Sequence, residues 1–183
     1  MARISYLTRE AVSPELRPIF RVGQPQHVPG LLAHAPANAG ALVNYLISIL
    51  SKQKLDPKVR ELCILYNARL MGCDYEWVQH ESIGAAAGLT REDIDVIRNE
   101  AYPEMAFPGQ PGAALVLTRE LVETGTAKPE TIKSVRQEMS EQELVELIMA
   151  VTAYLGLAVL MNALAIDTES GMGSEAAQHL IGE

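Results

Sequence analysis

The stretch that most constrains this chain is residues 61–88, ELCILYNARLMGCDYEWVQHESIGAAAG. It predicts an apolar helix, a Gly-Cys break at Gly72-Cys73, and a second helix running to Gly88. Cys73, Glu76 and His80 are spaced i, i+3, i+7, which puts all three on one face of a helix. Ile83 and Ala87 extend that face, while Asp74 and Glu81 lie opposite. Groups capable of proton or thiol chemistry therefore share a stripe with residues that favour burial. Glu61, on the preceding apolar helix, is a fourth candidate, because a carboxylate buried there must find a partner.

The flanking segments read as further helices. Residues 1–12 predict an extended arm, and Ser13-Pro14-Glu15 opens a short helix with Ser as N-cap. Residues 23–30, with two prolines, read as a loop. Residues 36–52 form an amphipathic helix with Leu42, Leu46, Ile49 and Leu50 on one side. Asp56-Pro57 caps the next, over 57–71, which is apolar on most sides and so central. Thr90 caps another helix, 102–112 is a loop, and helices follow over 113–124 and 129–138. Ser140 with Glu143 makes a capping box for the longest helix, 141–166. Its apolar run over 144–166 is long enough to cross a bilayer. Acidic residues near both ends, no Lys or Arg anchor, and interruptions at Thr152, Tyr154, Gly156 and Asn162 favour a core or subunit-interface helix. No alternating strand pattern, repeat or linker is evident, so the expectation is one all-α domain over 1–183, with an N-terminal arm (1–30) and a loose tail (167–183).

Composition narrows the function classes. A formal charge of −8 and no basic cluster argue against nucleic acid. Two cysteines, Cys63 and Cys73, make neither a disulfide framework nor a zinc site. The opening MARISYLTREAVSPELR has no apolar h-region, so a cytoplasmic protein without a membrane partner is expected. Glu61, Glu76 and His80 lack the spacing of a closed metal site, and neither a metal nor a cofactor is expected.

With Glu61, Cys73, Glu76 and His80 in this order, then Gly88-Leu89-Thr90, Ile94, Val151-Thr152-Ala153-Tyr154-Leu155-Gly156 and Asn162-Ala163, the chain resembles the carboxymuconolactone decarboxylase and AhpD-like superfamily over about two-thirds of its length. The resemblance implies an all-helical AhpD-like bundle assembled as a homotrimer or homohexamer. It also implies two possible chemistries. The alkylhydroperoxidase branch carries Glu, then Cys-x-x-Cys, then His. Glu61, Cys73 and His80 match, but Glu76 stands where the second cysteine belongs. The decarboxylase branch carries Glu-x-x-x-His, which Glu76 and His80 match.

The favoured reading is a decarboxylase-like acid–base enzyme acting on a small carboxylated or lactone substrate. An imidazole titrates near neutrality and can shuttle the proton that an enolate needs. Glu76 would hold the His80 tautomer, or act as the acid if burial raised its pKa. The alternative is a thiol peroxidase using Cys73 with His80 and Glu61, which lacks a local resolving thiol. A third reading is a non-catalytic oligomer that binds a small acid. The blander possibilities are an i, i+4 ion pair between Glu76 and His80, a structural pair between Glu61 and Arg69, Cys73 and Cys63 as core residues, Tyr75 and Trp77 as packing, and His34 as an exposed loop residue.

Overall fold

The computed structural model describes residues 1–21, 24–173 and 176–178. Among them are eight α-helices, two short 3-10 turns and no strand. The helices are α1 (His27–Leu32), α2 (Pro36–Lys52), α3 (Pro57–Met71), α4 (Asp74–Ala86), α5 (Arg91–Asn99), α6 (Gln110–Thr124), α7 (Pro129–Glu138) and α8 (Glu141–Ala163).

Helix α3 is the axis of the bundle. Every residue from Val59 to Ala68 is buried, and α4, α5, α6 and α8 pack around it. Its start is set by Asp56, whose carboxylate accepts from the amides of Lys58 (2.7 Å) and Val59 (3.3 Å), with Pro57 at the first helical position. Its end is set by Gly72, at φ 59°. That left-handed turn lets the Cys73 amide donate to Ala68 O at 2.9 Å and sends the chain back along α3 as α4.

Glycine at position 84 then controls how closely α4 approaches. A Cβ there would stand 2.8 Å from Leu89 Cδ1, 3.5 Å from Leu65 Cδ1 and 3.6 Å from Glu61 Cβ. The absence of a side chain lets α4 lie against α3 one turn from His80, with Glu61 within reach.

Helix α8 is long and apolar enough to cross a membrane, yet it is lodged in the bundle against α2, α3, α6 and α7. Leu147, Val151, Tyr154, Ala158 and Met161 are buried, while Val145, Met149 and Val159 are exposed along the other side.

Several local expectations need correction. The chain at 23–30 is not all loop: α1 starts at His27, because Pro29 lies in its first turn, where a missing N–H costs no helical bond. The segment after Ser13 makes turns and a 3-10 helix, Arg17–Ile19, rather than an α-helix. Helix α6 begins at Gln110, with Pro111 and Gly112 in its first turn, and α8 stops at Ala163. The segment 164–173 is held rather than loose. Leu164 O accepts from Arg3 N (2.8 Å), Asp167 accepts from Ala2 N (3.0 Å) and Tyr6 Oη (3.2 Å), and Glu169 accepts from Gln26 N (3.1 Å), His27 N (2.7 Å) and Tyr75 Oη (2.7 Å). Most of the remaining tail lies outside the described residues.

Candidate active site

The cavity that concentrates the chemistry lies between α2, α4 and α8. Its volume is about 160 Å³, room for on the order of ten water-sized groups. Its walls are aliphatic, with Val43, Leu46 and Leu50 from α2 and Leu157 and Met161 from α8. Its polar side is one face of α4, where Glu76, Gln79, His80 and Ile83 follow at i, i+3, i+4 and i+7. Tyr154 of α8 meets the His80 ring edge-on, with centroids 4.7 Å apart. Arg21, Gln24 and Met172 line the cavity from the terminal segments.

Behind His80 stands a buried ion network. Glu61 is fully enclosed; its Oε2 accepts from His80 Nδ1 at 2.7 Å and its Oε1 from Arg60 Nε at 3.0 Å. Burial by itself would push the Glu61 carboxyl up, but the charges and hydrogen bonds of His80 and Arg60 outweigh it and hold the group below the ordinary carboxylate range. An ionised Glu61 can only accept, so His80 carries its proton on Nδ1 and leaves Nε2 as the nitrogen that can exchange a proton with a ligand.

Glu76 is in the opposite situation. It is buried, its Oε1 accepts from Asn67 Nδ2 at 2.9 Å, and its Oε2 has no hydrogen-bond partner among the described residues. No cation faces it. Burial pushes its pKa well above the usual carboxylate range; the Asn67 amide opposes that in part, and the Glu61 charge adds to it. Glu76 is thus biased towards its acid form, beside a histidine whose Nδ1 is committed to Glu61.

The three residues expected on one stripe, Cys73, Glu76 and His80, do not all share it. Glu76 and His80 both line the cavity, but they do not pair with each other: each finds its partner on α3. It is therefore Glu61, not Glu76, that fixes the His80 tautomer. Cys73 does not line this cavity. It is the N-cap of α4, at φ −98° and ψ 87°, so helical spacing does not extend back to it. It borders a separate cleft with Arg69, Trp77 and Arg98. Its thiol is buried, and burial pushes its pKa up to about 11. Cys63 is a core thiol pushed up to about 12 by burial. Glu61 does not pair with Arg69, which instead donates to Ile97 O (2.6 Å) and Glu100 O (2.5 Å) at the end of α5. Exposed His34 contacts Ser5 O through Nε2 at 2.8 Å. No cluster of three His, Cys, Asp or Glu with metal-site geometry occurs among the described residues.

Three further residues complete the site: Arg60, Asn67 and Gln79. Asn67 carries the same signal that marked Glu61, a polar side chain in an otherwise apolar helix that must be paired if buried. Gln79 is one helical step from His80 and three from Glu76, so the correct facing stripe contains it.

The family of carboxymuconolactone decarboxylases matches residues 36–126, which span α2 to α6. The fold is similar to the solved alkylhydroperoxidase AhpD core of an uncharacterized peroxidase-related protein from Ralstonia eutropha JMP134, at 19% identity over 92% of both chains with a TM-score of 0.78. It is similar to the apo form of the debrominase Bmp8, at 16% identity over 96% of both chains with a TM-score of 0.73. An Agrobacterium tumefaciens protein of unknown function, a putative antioxidant defence protein AhpD, is 21% identical over 74% of this chain and 90% of its own, with a TM-score of 0.59. No protein of curated function matches the sequence. Residues 36–126 thus match the carboxymuconolactone decarboxylase family, and the fold of the chain is AhpD-like.

Proposed function

We propose that this protein is a decarboxylase-like lyase that uses Glu76 and His80 as an acid–base pair on a small carboxylated or lactone substrate. The observation that carries this reading is the meeting of two differently held groups in one apolar cavity: a carboxyl that burial pushes towards its acid form and an imidazole whose far nitrogen is held by a carboxylate. Decarboxylation next to a lactone carbonyl releases CO2 and leaves the bonding electron pair on the substrate as an enolate, which then takes up one proton at carbon. Glu76 is a donor for the developing oxyanion or carbon, and His80 Nε2 can pass a proton in either direction. The adjoining carbonyl receives the electron pair, so this chemistry calls for no cofactor.

A thiol-peroxidase role has less support, because Cys73 is buried, outside the cavity and pushed towards the thiol form, with Glu76 in place of a second cysteine. The exposed apolar residues of α8 support self-association as a homo-oligomer. The test is turnover of a panel of small lactones and carboxylated lactones. His80→Gln should lower kcat by on the order of 10²–10⁴-fold with the fold intact, and Glu76→Gln nearly as much, the double variant being no worse than either. Ligand binding without turnover across the panel would favour a non-catalytic binding protein.

A further inference from the structure

Asn67 is wholly buried on α3 and faces Glu76 across the α3–α4 contact. A side-chain amide offers two donor hydrogens on nitrogen and an acceptor oxygen. Here Nδ2 donates to Glu76 Oε1 at 2.9 Å. Its other end, Oδ1, has no partner among the described residues, and neither has Glu76 Oε2. Each buried group left in that condition is destabilising, because it has lost its water and gained nothing in exchange.

One proton removes both shortfalls. Placed on Glu76 Oε2, it turns that oxygen from an acceptor into a donor, and the side chain that already holds Oε1 carries an unpaired acceptor at its other end. The product is an acid–amide ring closed by two hydrogen bonds, N–H to the carboxyl oxygen and O–H to the amide oxygen. We propose that Asn67 is the positioning residue of Glu76: it holds the protonated carboxyl by both ends of its amide, and keeps the Nδ2–Oε1 bond after the proton has gone.

A neutral amide is suited to this. A cation in its place would ionise Glu76, as Arg60 and His80 do for Glu61, and a carboxylate would compete for the proton. Asn67 adds no charge and serves either protonation state, so the carboxyl head stays in one place through the transfer. A developing oxyanion in the cavity is a stronger acceptor than an amide oxygen and can draw the proton away. The role rests on the reading of Glu76 as the acid.

The pairing can be measured without substrate, so its outcome is separate from that reading. Infrared difference spectra of protein labelled with ¹³C-glutamate should show a protonated carboxyl at pH 7 that disappears in Glu76→Gln. In Asn67→Leu the remaining acid C=O stretch should move to higher wavenumber, having lost its hydrogen bond. An ionised Glu76 at pH 7, or a band that Asn67→Leu leaves in place, overturns the proposal. Should Asn67→Leu not fold, the ¹⁵N side-chain amide resonance of Asn67 in the wild-type fold decides: it should move with the Glu76 titration at high pH and lose that dependence in Glu76→Gln. An Asn67 resonance indifferent to Glu76 overturns it equally. If the infrared band behaves as described while Glu76→Gln leaves turnover intact, the pairing stands and the acid–base reading falls.

Discussion

Replacing Glu61 by Gln should unsettle the protein more than any other isosteric change in the site. Glu61 and Arg60 are 0% and 1% exposed, and among the described residues Arg60 has one further hydrogen bond, 3.4 Å from Nη1 to Ile49 O, with Nη2 unpaired. Gln offers one oxygen to two donors, Arg60 Nε and His80 Nδ1, and turns its NH2 group on whichever it does not serve. Removing one partner of a buried ion pair costs about 3–5 kcal/mol. At roughly 2–4 °C per kcal/mol for a chain of this length, the melting point should fall by about 6–20 °C. The assay is urea unfolding at fixed protein concentration, with Glu61→Gln, Arg60→Met and the double variant. Because the buried charge left behind causes most of each single loss, the double variant should cost at least ~2 kcal/mol less than the sum. The pH dependence has a definite sign. Glu61 is held below its unfolded value, so its contribution is fully present above about pH 4.3 and is lost as pH falls through the folded value. The gap between wild type and Glu61→Gln should narrow on acidification. Single losses below ~1 kcal/mol, or losses that add, would refute the argument.

Glu76→Gln should act in the reverse direction on stability. The folded protein keeps this carboxyl protonated where the unfolded chain ionises it, so wild-type stability from this group falls as pH rises above about 4.3, and the variant should be the more stable at pH 7, by a margin that grows with pH in urea titrations. Cys73 should react with iodoacetamide at pH 8 at least ~10-fold more slowly in the folded than in the unfolded protein, since a thiol near pKa 11 is about one part in a thousand thiolate there. Efficient hydroperoxide turnover abolished by Cys73→Ser would reverse the ranking of the two chemistries. Light scattering at micromolar concentration should report an oligomer, and Val159→Glu should reduce its mass by placing a charge on the exposed apolar side of α8.

The parts of this molecule that were legible in the sequence are those decided locally. Asp56-Pro57, Thr90 with Asp93, Ser140 with Glu143, and Gly72 act on their own turns, and the starts of α3, α5 and α8 and the end of α3 fall where those residues put them. What was misread depended on distant contacts or on a boundary inside a motif. Pro29 looked like a loop residue because a proline in the first turn and one outside a helix read alike. Cys73 looked like part of the reactive face because helical spacing was carried one residue past the true start of α4. Segment 164–173 is Gly-bearing, and what holds it lies far away in the chain: bonds to the N-terminal residues and to Tyr75, and the packing of Ile166 and Met172 on the core. The i, i+4 spacing of Glu76 and His80 suggested a pair, whereas burial against α3 gave each a stronger partner: Asn67 for one, Glu61 for the other.

That division of partners is what separates the two carboxyls chemically. Both are buried, both are glutamates, and both sit on the α3–α4 contact, so neither residue type nor burial distinguishes them. The difference is the charge placed against each. Glu61 has Arg60 beside it in the chain and His80 across the contact, and the combined attraction exceeds the cost of burying its charge. Glu76 has a neutral amide and an aliphatic cavity, and the fixed negative charge of Glu61 adds a small repulsion to the desolvation that already favours its acid form. The ionised carboxyl therefore helps to keep the other one protonated, while it holds the imidazole in the tautomer able to take a proton. Arg60 does not line the cavity, yet it adds to the hold that His80 exerts on the Glu61 charge, and the acid form of Glu76, which burial favours first, would outlast its loss.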